Sequence, residues 1–161
     1  MTLMAVFSVR IATPDDASQV NGVLARSYST LYRGWYRDDV LEKALPAMTR
    51  ANPRLLASGR YFIAESEGCA VACGGWSHDA TRAHVRHFAT DPQFLNRGCA
   101  SALLRRSMNE ARKSGFSEME TASSLAAEAF YAHHGFKPLS IVKTPMGGAS
   151  FSCVLMRRTI A

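Results

Sequence analysis

The stretch Thr90-Asp91-Pro92-Gln93-Phe94-Leu95-Asn96-Arg97-Gly98-Cys99-Ala100-Ser101-Ala102-Leu103-Leu104 decides how this chain is read. The segment over residues 84–89 precedes it and reads as a strand, which Asp91-Pro92 ends. Beyond the turn, Ala100, Leu103, Leu104, Ser107, Met108 and Ala111 recur at helical spacing, so a long helix is expected over about residues 98–114, stopped by Gly115. The first N–H groups of such a helix have no internal partners and sit at the positive end of its dipole. A pyrophosphate suits that position. Gly98 lets the backbone approach a ligand closely, Ala100 and Ser101 are small enough to keep the approach open, and Arg97 adds positive charge. The same pattern also serves as a plain strand-to-helix connection. It matches neither the dinucleotide-binding fingerprint nor the phosphate loop with its Lys-Ser/Thr ending.

Upstream, residues 7–11 alternate apolar and polar and predict a half-buried strand. Thr13, Pro14, Asp15 and Asp16 form a helix start, followed by Ala17, Val20, Leu24, Tyr28 and Leu31 at helical spacing. Residues 32–58 read as one or two short helices around Val40-Leu41 and Leu55-Leu56, broken near Pro46 and Pro53. Residues 61–65 and 70–76 read as strands joined by a Glu67-Gly68 hairpin turn, and residues 84–89 complete a meander. A strand over 118–122, a helix over 125–134 closed by Gly135, and two last strands that include 151–156 finish the chain. No repeat or linker interrupts it, so residues 1–161 are expected to form one α+β domain.

Composition sets limits. The chain has 161 residues, 47% of them hydrophobic and 20% charged, which suits a folded protein and leaves no apolar run long enough to cross a bilayer. Residues 1–7 lack a basic start and are read as leading into the first strand rather than as a secretory signal, making the cytoplasm the expected location. Cys69 and Cys73 on one strand lie roughly 13 Å apart at about 3.3 Å per residue, too far for a disulfide or a shared ion. With Cys99 and Cys153 they are expected to be free thiols, and no metal is expected. The net charge of +6 comes from Arg and Lys spread along the chain, without an aromatic-basic module for nucleic acid. It suits an anionic cofactor instead.

Leu95-Asn96-Arg97-Gly98-Cys99-Ala100 resembles motif A of the GCN5-related N-acetyltransferases, Gln/Arg-x-x-Gly-x-Gly/Ala, with Leu95 standing where Gln or Arg is usual. Phe88-Ala89-Thr90-Asp91-Pro92 is similar to that family's strand ending in Val-x-Pro, with Thr90 in place of Val. Residues 126–136, with Phe130-Tyr131 and Gly135-Phe136, resemble motif B, Ala-x-x-Phe/Leu-Tyr-x-x-x-Gly-Phe. The segments 10–17, 59–64 and 74–77 also look like parts of such enzymes. The resemblance implies an α+β fold of the GNAT acyl-CoA N-acyltransferase type: a mixed, mostly antiparallel sheet of six to seven strands with about four helices. It implies acetyl-CoA as cosubstrate and direct transfer of acetyl to an amine. Residues 95–101 would then hold the pyrophosphate through backbone amides, and the main chain of Phe88, Ala89 and Thr90 would pair with the pantetheine arm. Ser124 stands where the family often has an Asn that contacts pantetheine. Tyr131 inherits the proton donation to the departing thiolate.

An ammonium acceptor must lose a proton before attack. Several family members carry a Glu early in the fourth strand; His84 holds that place here and suits the task, although an exposed strand residue is an equal reading. His87, three residues on, is expected on the opposite face of the strand. His133 and His134 read as helix-end residues. Cys99 at a helix N-terminus invites a lowered thiol pKa, but direct transfer needs no acyl-enzyme. Tyr28, Tyr32, Trp35 and Tyr36 offer aromatic faces for an acceptor cleft, or serve as core or dimer contacts. Arg33, Arg37 and Arg50 point towards an acidic acceptor, a small-molecule or peptide amine. Neither nucleic acid nor membrane is expected as a partner; dimers are common in the family the chain resembles, so a homodimer is one option and the sequence leaves the oligomeric state open. Two other readings remain: an acetyl-CoA sensor without transferase activity, and an interaction protein with acidic targets.

Overall fold

The computed structural model describes residues 6–161, so residues 1–5 of the opening segment lie outside the described residues. Seven strands form one sheet: β1 Ser8–Ile11, β2 Tyr61–Ser66, β3 Cys69–His78, β4 Ala83–Thr90, β5 Glu118–Ser124, β6 Lys137–Met146 and β7 Ala149–Thr159. Their order is β1-β2-β3-β4-β5-β7-β6, antiparallel throughout except where β4 meets β5. Five helices are described where about four were expected: α1 Ala17–Leu31, α2 Asp38–Met48, α3 Pro53–Leu56, α4 Cys99–Lys113 and α5 Glu128–His133.

The start of α1 is fixed by charge. Asp16 accepts the Thr13 N–H at 2.7 Å and both terminal nitrogens of Arg10, which also reaches Glu65 across the β1/β2 pair. The Arg10 guanidinium holds the Asp16 carboxyl at about 2. Pro53 begins α3, with Asn52 capping the N–H groups of Arg54 and Leu55. Pro46, expected to break a helix, lies inside α2. It falls in the last turn and costs only the bond to the Glu42 carbonyl, on an exposed residue that water can satisfy.

In β2, Tyr61 and Ile63 face one side while Phe62 and Ala64 face the other, and all four are buried. The sheet is therefore covered on both faces. On one, α1 to α3 pack Val20, Leu24, Leu41 and Leu56 against Ile63 and Phe151. On the other, α4 and α5 pack Leu103, Leu104 and Tyr131 against Phe62, Trp76 and Met119. The β2/β3 turn has positive φ at both Glu67 and Gly68, the twist a two-residue hairpin needs. No helix among the described residues is long and apolar enough to cross a membrane.

Candidate active site

The two parallel strands at the centre of the sheet pair only at their starts. Ala83 meets Met119 and His84 meets Glu120; after that β4 stays with β3 while β5 stays with β7. The opening between them continues into a cleft of about 1240 Å³ that reaches both faces of the sheet. Its cause is local. The β3/β4 register passes from Cys73↔Ala89 to Gly75↔Arg86, so His87 and Phe88 bulge opposite Gly74, with His87 at φ +55. A Cβ on Gly74 would lie 2.5 Å from the Phe88 ring, so only glycine admits that ring. Two buried phenols pin the bulge: Tyr28 donates to the Phe88 carbonyl at 2.8 Å and Tyr61 to that of His87 at 2.6 Å. Burial pushes both hydroxyls well above the ordinary tyrosine value, so they remain donors.

At the end of β4 the chain passes through a short 3-10 turn, Pro92–Phe94, whose first N–H groups Asp91 caps, and enters α4. Gly98 precedes α4 with φ +83, and Asn96, a residue that tolerates this region, has φ +61. The first bond into the helix is from Ala102 N–H to the Gly98 carbonyl, and no N–H from residues 95–101 has a partner among the described residues. Leu95, Asn96, Gly98, Cys99, Ala100 and Ser101 all line the cleft, as do Phe88, Ala89, Thr90 and Ser124. Arg97 is turned aside, its guanidinium lying 4.8 Å from the centre of the Phe94 ring. The Ser101 hydroxyl is 2.9 Å from His134 Nε2, a contact that sequence spacing did not suggest. Ser124 accepts the Ala127 N–H through its hydroxyl at 3.2 Å and so starts α5.

Tyr131 lines the cleft from the α4/α5 side, edge-on to Phe88, Phe130 and Phe136. Burial raises its phenol far above the ordinary range, which keeps the proton on the oxygen. Cys99 follows the same rule: burial raises its thiol, outweighing Arg97 nearby, so the lowered pKa expected at a helix N-terminus is not found. All four cysteines are free. No group of three His, Cys, Asp or Glu among the described residues is placed to hold a metal.

The opposite mouth is made by α1, α2 and β4. Val85 packs with Trp76 on the α4 side, so His84 and Arg86 point to the α1/α2 side. His87 was expected on the face opposite His84, but the bulge adds a residue and turns it to the same side. There its Nε2 lies 2.8 Å from the Met48 carbonyl, and burial lowers its pKa, keeping the ring neutral. His84 Nε2 lies 2.8 Å from Asp79 Oδ2. Asp79 also accepts N–H groups of Thr81 and Arg82, and His84 followed by these amides holds its carboxyl well below the usual range. Sequence reading missed Asp79, Arg86 and Glu120; nothing in their spacing separated them from ordinary turn and strand residues. Tyr28, Tyr32 and Trp35 line the cleft, whereas Tyr36 is structural: its hydroxyl donates to the Ser152 carbonyl, accepts the Leu125 N–H, and its ring stacks on Phe151.

The family model for the acetyltransferase (GNAT) domain matches residues 57–138, just over half of the chain, including the splayed strands, α4 and α5. No curated protein matches. Among solved structures, the GCN5-related N-acetyltransferase from Rhodopseudomonas palustris superposes with a TM-score of 0.85 at 19% identity, covering 99% of each chain. The paia N-acetyltransferase from Thermoplasma acidophilum, in complex with coenzyme A, gives 0.76 at 15% identity over 96% of this chain and 99% of that one. The splayed parallel strands, the amide-rich turn between them and the matched domain lead to one conclusion: the chain belongs to the GNAT acetyltransferases and moves acetyl from acetyl-CoA to an amine.

Proposed function

We propose that the open N–H groups of residues 95–101 hold the pyrophosphate, with the pantetheine arm against the main chain of Phe88, Ala89 and Thr90 and beside Ser124. The acceptor enters from the α1/α2 side, so donor and acceptor meet in the gap between β4 and β5. Acetyl-CoA supplies the acetyl group as a thioester. His84, its Nε2 held by Asp79, presents Nδ1 to take the proton lost by the amine, through water, as the new carbon–nitrogen bond forms. Tyr131 donates its hydroxyl proton towards the sulfur as the carbon–sulfur bond breaks. Its burial suits a group that stays a donor until thiolate charge appears. Cys99, buried and raised, stays outside the chemistry.

The observation that carries this reading is the run of partnerless amides at the end of a strand that has left its neighbour. Coenzyme A is expected to raise the melting temperature, by about 2.7 kcal/mol of stabilisation at a hundred times its Kd. Ala100→Asp, placing a carboxylate among those amides, is expected to weaken coenzyme A binding by about tenfold or more through like-charge repulsion. Unchanged melting with coenzyme A sinks the site; stabilisation without thiol release against any amine turns the protein into a sensor.

One continuous seven-stranded sheet supports treating residues 1–161 as a single acetyltransferase domain. Free thiols and the use of acetyl-CoA favour the cytoplasm. A homodimer belongs to the same proposal, supported by exposed Leu139 and Ile141 on the edge strand β6.

A further inference from the structure

Two guanidinium groups line the acceptor side of the cleft with no carboxylate to meet them. Arg86 is half-buried on β4, two residues after His84 and on the same face. Of its five N–H donors, one meets the Ser77 hydroxyl, at 3.2 Å, and it forms no ion pair among the described residues. Arg50 lies just beyond α2, exposed at the same mouth and likewise without an ion pair. The two carboxylates on this side are occupied. Asp79 is held by His84 and two turn amides, and Glu120 by Arg157 at 3.3 Å. His87, between the two arginines, is kept neutral by burial. Arg33 and Arg37 do not belong to this group: Arg37 pairs with Asp39, and Arg33 lines a separate hollow with Asp38 and Glu42.

A guanidinium that lines the cleft with a single neutral partner keeps most of its donors free for a ligand. We propose that the acceptor is an amine that carries a carboxylate close to its nitrogen, an amino-acid-like acid, and that Arg86, assisted by Arg50, binds that carboxylate. This rests on the acetyl-transfer reading above and names its substrate class. The planar fork of Arg86 matches a carboxylate through two parallel hydrogen bonds. His84 and Arg86 are about 7 Å apart along the strand, at roughly 3.3 Å per residue, near enough for one small molecule to reach both. Positive charge beside the nitrogen also favours the neutral amine that the reaction needs.

The test measures kcat/KM, by thiol release from acetyl-CoA, for each proteinogenic amino acid against its own carboxamide. At least one acid is expected to exceed its amide by tenfold or more. Arg86→Gln is expected to raise the KM of that acid about 10- to 100-fold, the loss of a charge-assisted hydrogen-bonded pair, and so bring acid and amide towards equality. Arg86→Lys, keeping charge without the fork, is expected to fall between, and Arg50→Gln to act in the same direction but less. The melting shift with coenzyme A is recorded for every variant to show that the donor side stands. A protein stabilised by coenzyme A that uses no acid, prefers amides, or keeps its preference in Arg86→Gln overturns the inference alone. Absence of the coenzyme A shift in the unaltered protein overturns the acetyl-transfer site with it.

Discussion

The two mouths of the cleft are built from different materials. On the α4 side the groups that would meet a ligand are main-chain amides of one continuous segment, residues 95–101, opened by Gly98 and kept accessible by Ala100 and Ser101. On the α1/α2 side they are side chains drawn from separate segments: Trp35, Arg50, Asp79, His84, Arg86 and Glu120. A main-chain site tolerates exchange at most of its positions, because each residue brings the same N–H. A side-chain site loses its specificity with one substitution. The contrast fits the proposed division of the cleft, with a cosubstrate common to a whole family at the first mouth and individual acceptors told apart at the second.

That contrast is open to direct attack. The largest effect is expected at the seam: Tyr131→Phe keeps the ring packed among Phe88, Phe130 and Phe136 yet removes the donor, and should lower kcat by about 10²-fold or more. Unaltered turnover across pH would take Tyr131 out of the chemistry. On the acceptor side, His84→Ala should abolish the acid limb of the kcat/KM profile, and Asp79→Asn should weaken turnover by freeing the imidazole that Asp79 orients. If the acid limb survives His84→Ala, the neutral His87, already fixed by Met48 on the same wall, becomes the residue to replace next.

Between the mouths, Gly74→Ala should push Phe88 off the bulge, costing about 1 to 3 kcal/mol and raising the KM for acetyl-CoA; melting and saturation curves read both. The smallest effect lies away from the cleft. Arg10→Ala should destabilise the fold by about 1 kcal/mol, since Arg10 is more than a third exposed and solvent screens the pair. The Asp16 carboxyl is depressed from 3.8 to about 2, so its contribution is complete above 3.8 and is lost as pH falls through about 2. In Arg10→Ala that acid loss should begin at higher pH. A change of acceptor preference in this variant would mean that the two sides of the sheet are coupled more tightly than their separate cores suggest.

Much of the fold was legible because its signals are local. The Glu67-Gly68 turn, the Asp91-Pro92 stop, the helix start at Gly98 and the Gly135 stop each depend on a few neighbouring residues, and each stands where the pattern placed it. Pro46 was misread because its cost depends on where in the helix it falls. The Cys99 thiol was misread because burial, which pushes it up, is a property of the packed chain rather than of the helix end. His87 failed for a related reason. Alternation assigns faces only while the ladder is regular, and the bulge arises from an encounter between Phe88 and Gly74, fourteen residues apart in sequence.

By itself, then, the sequence determined the order of strands and helices, the glycine turn into α4 and the pair of motifs that tie the chain to its family, since periodicity and turn chemistry act between near neighbours. Tertiary structure alone decided that β4 and β5 part after two pairs, that Arg86 and Arg50 face one space, and that Asp79 and Glu120 are already taken. Charges separated along the chain acquire partners, or are left without them, only once the sheet has brought their strands together.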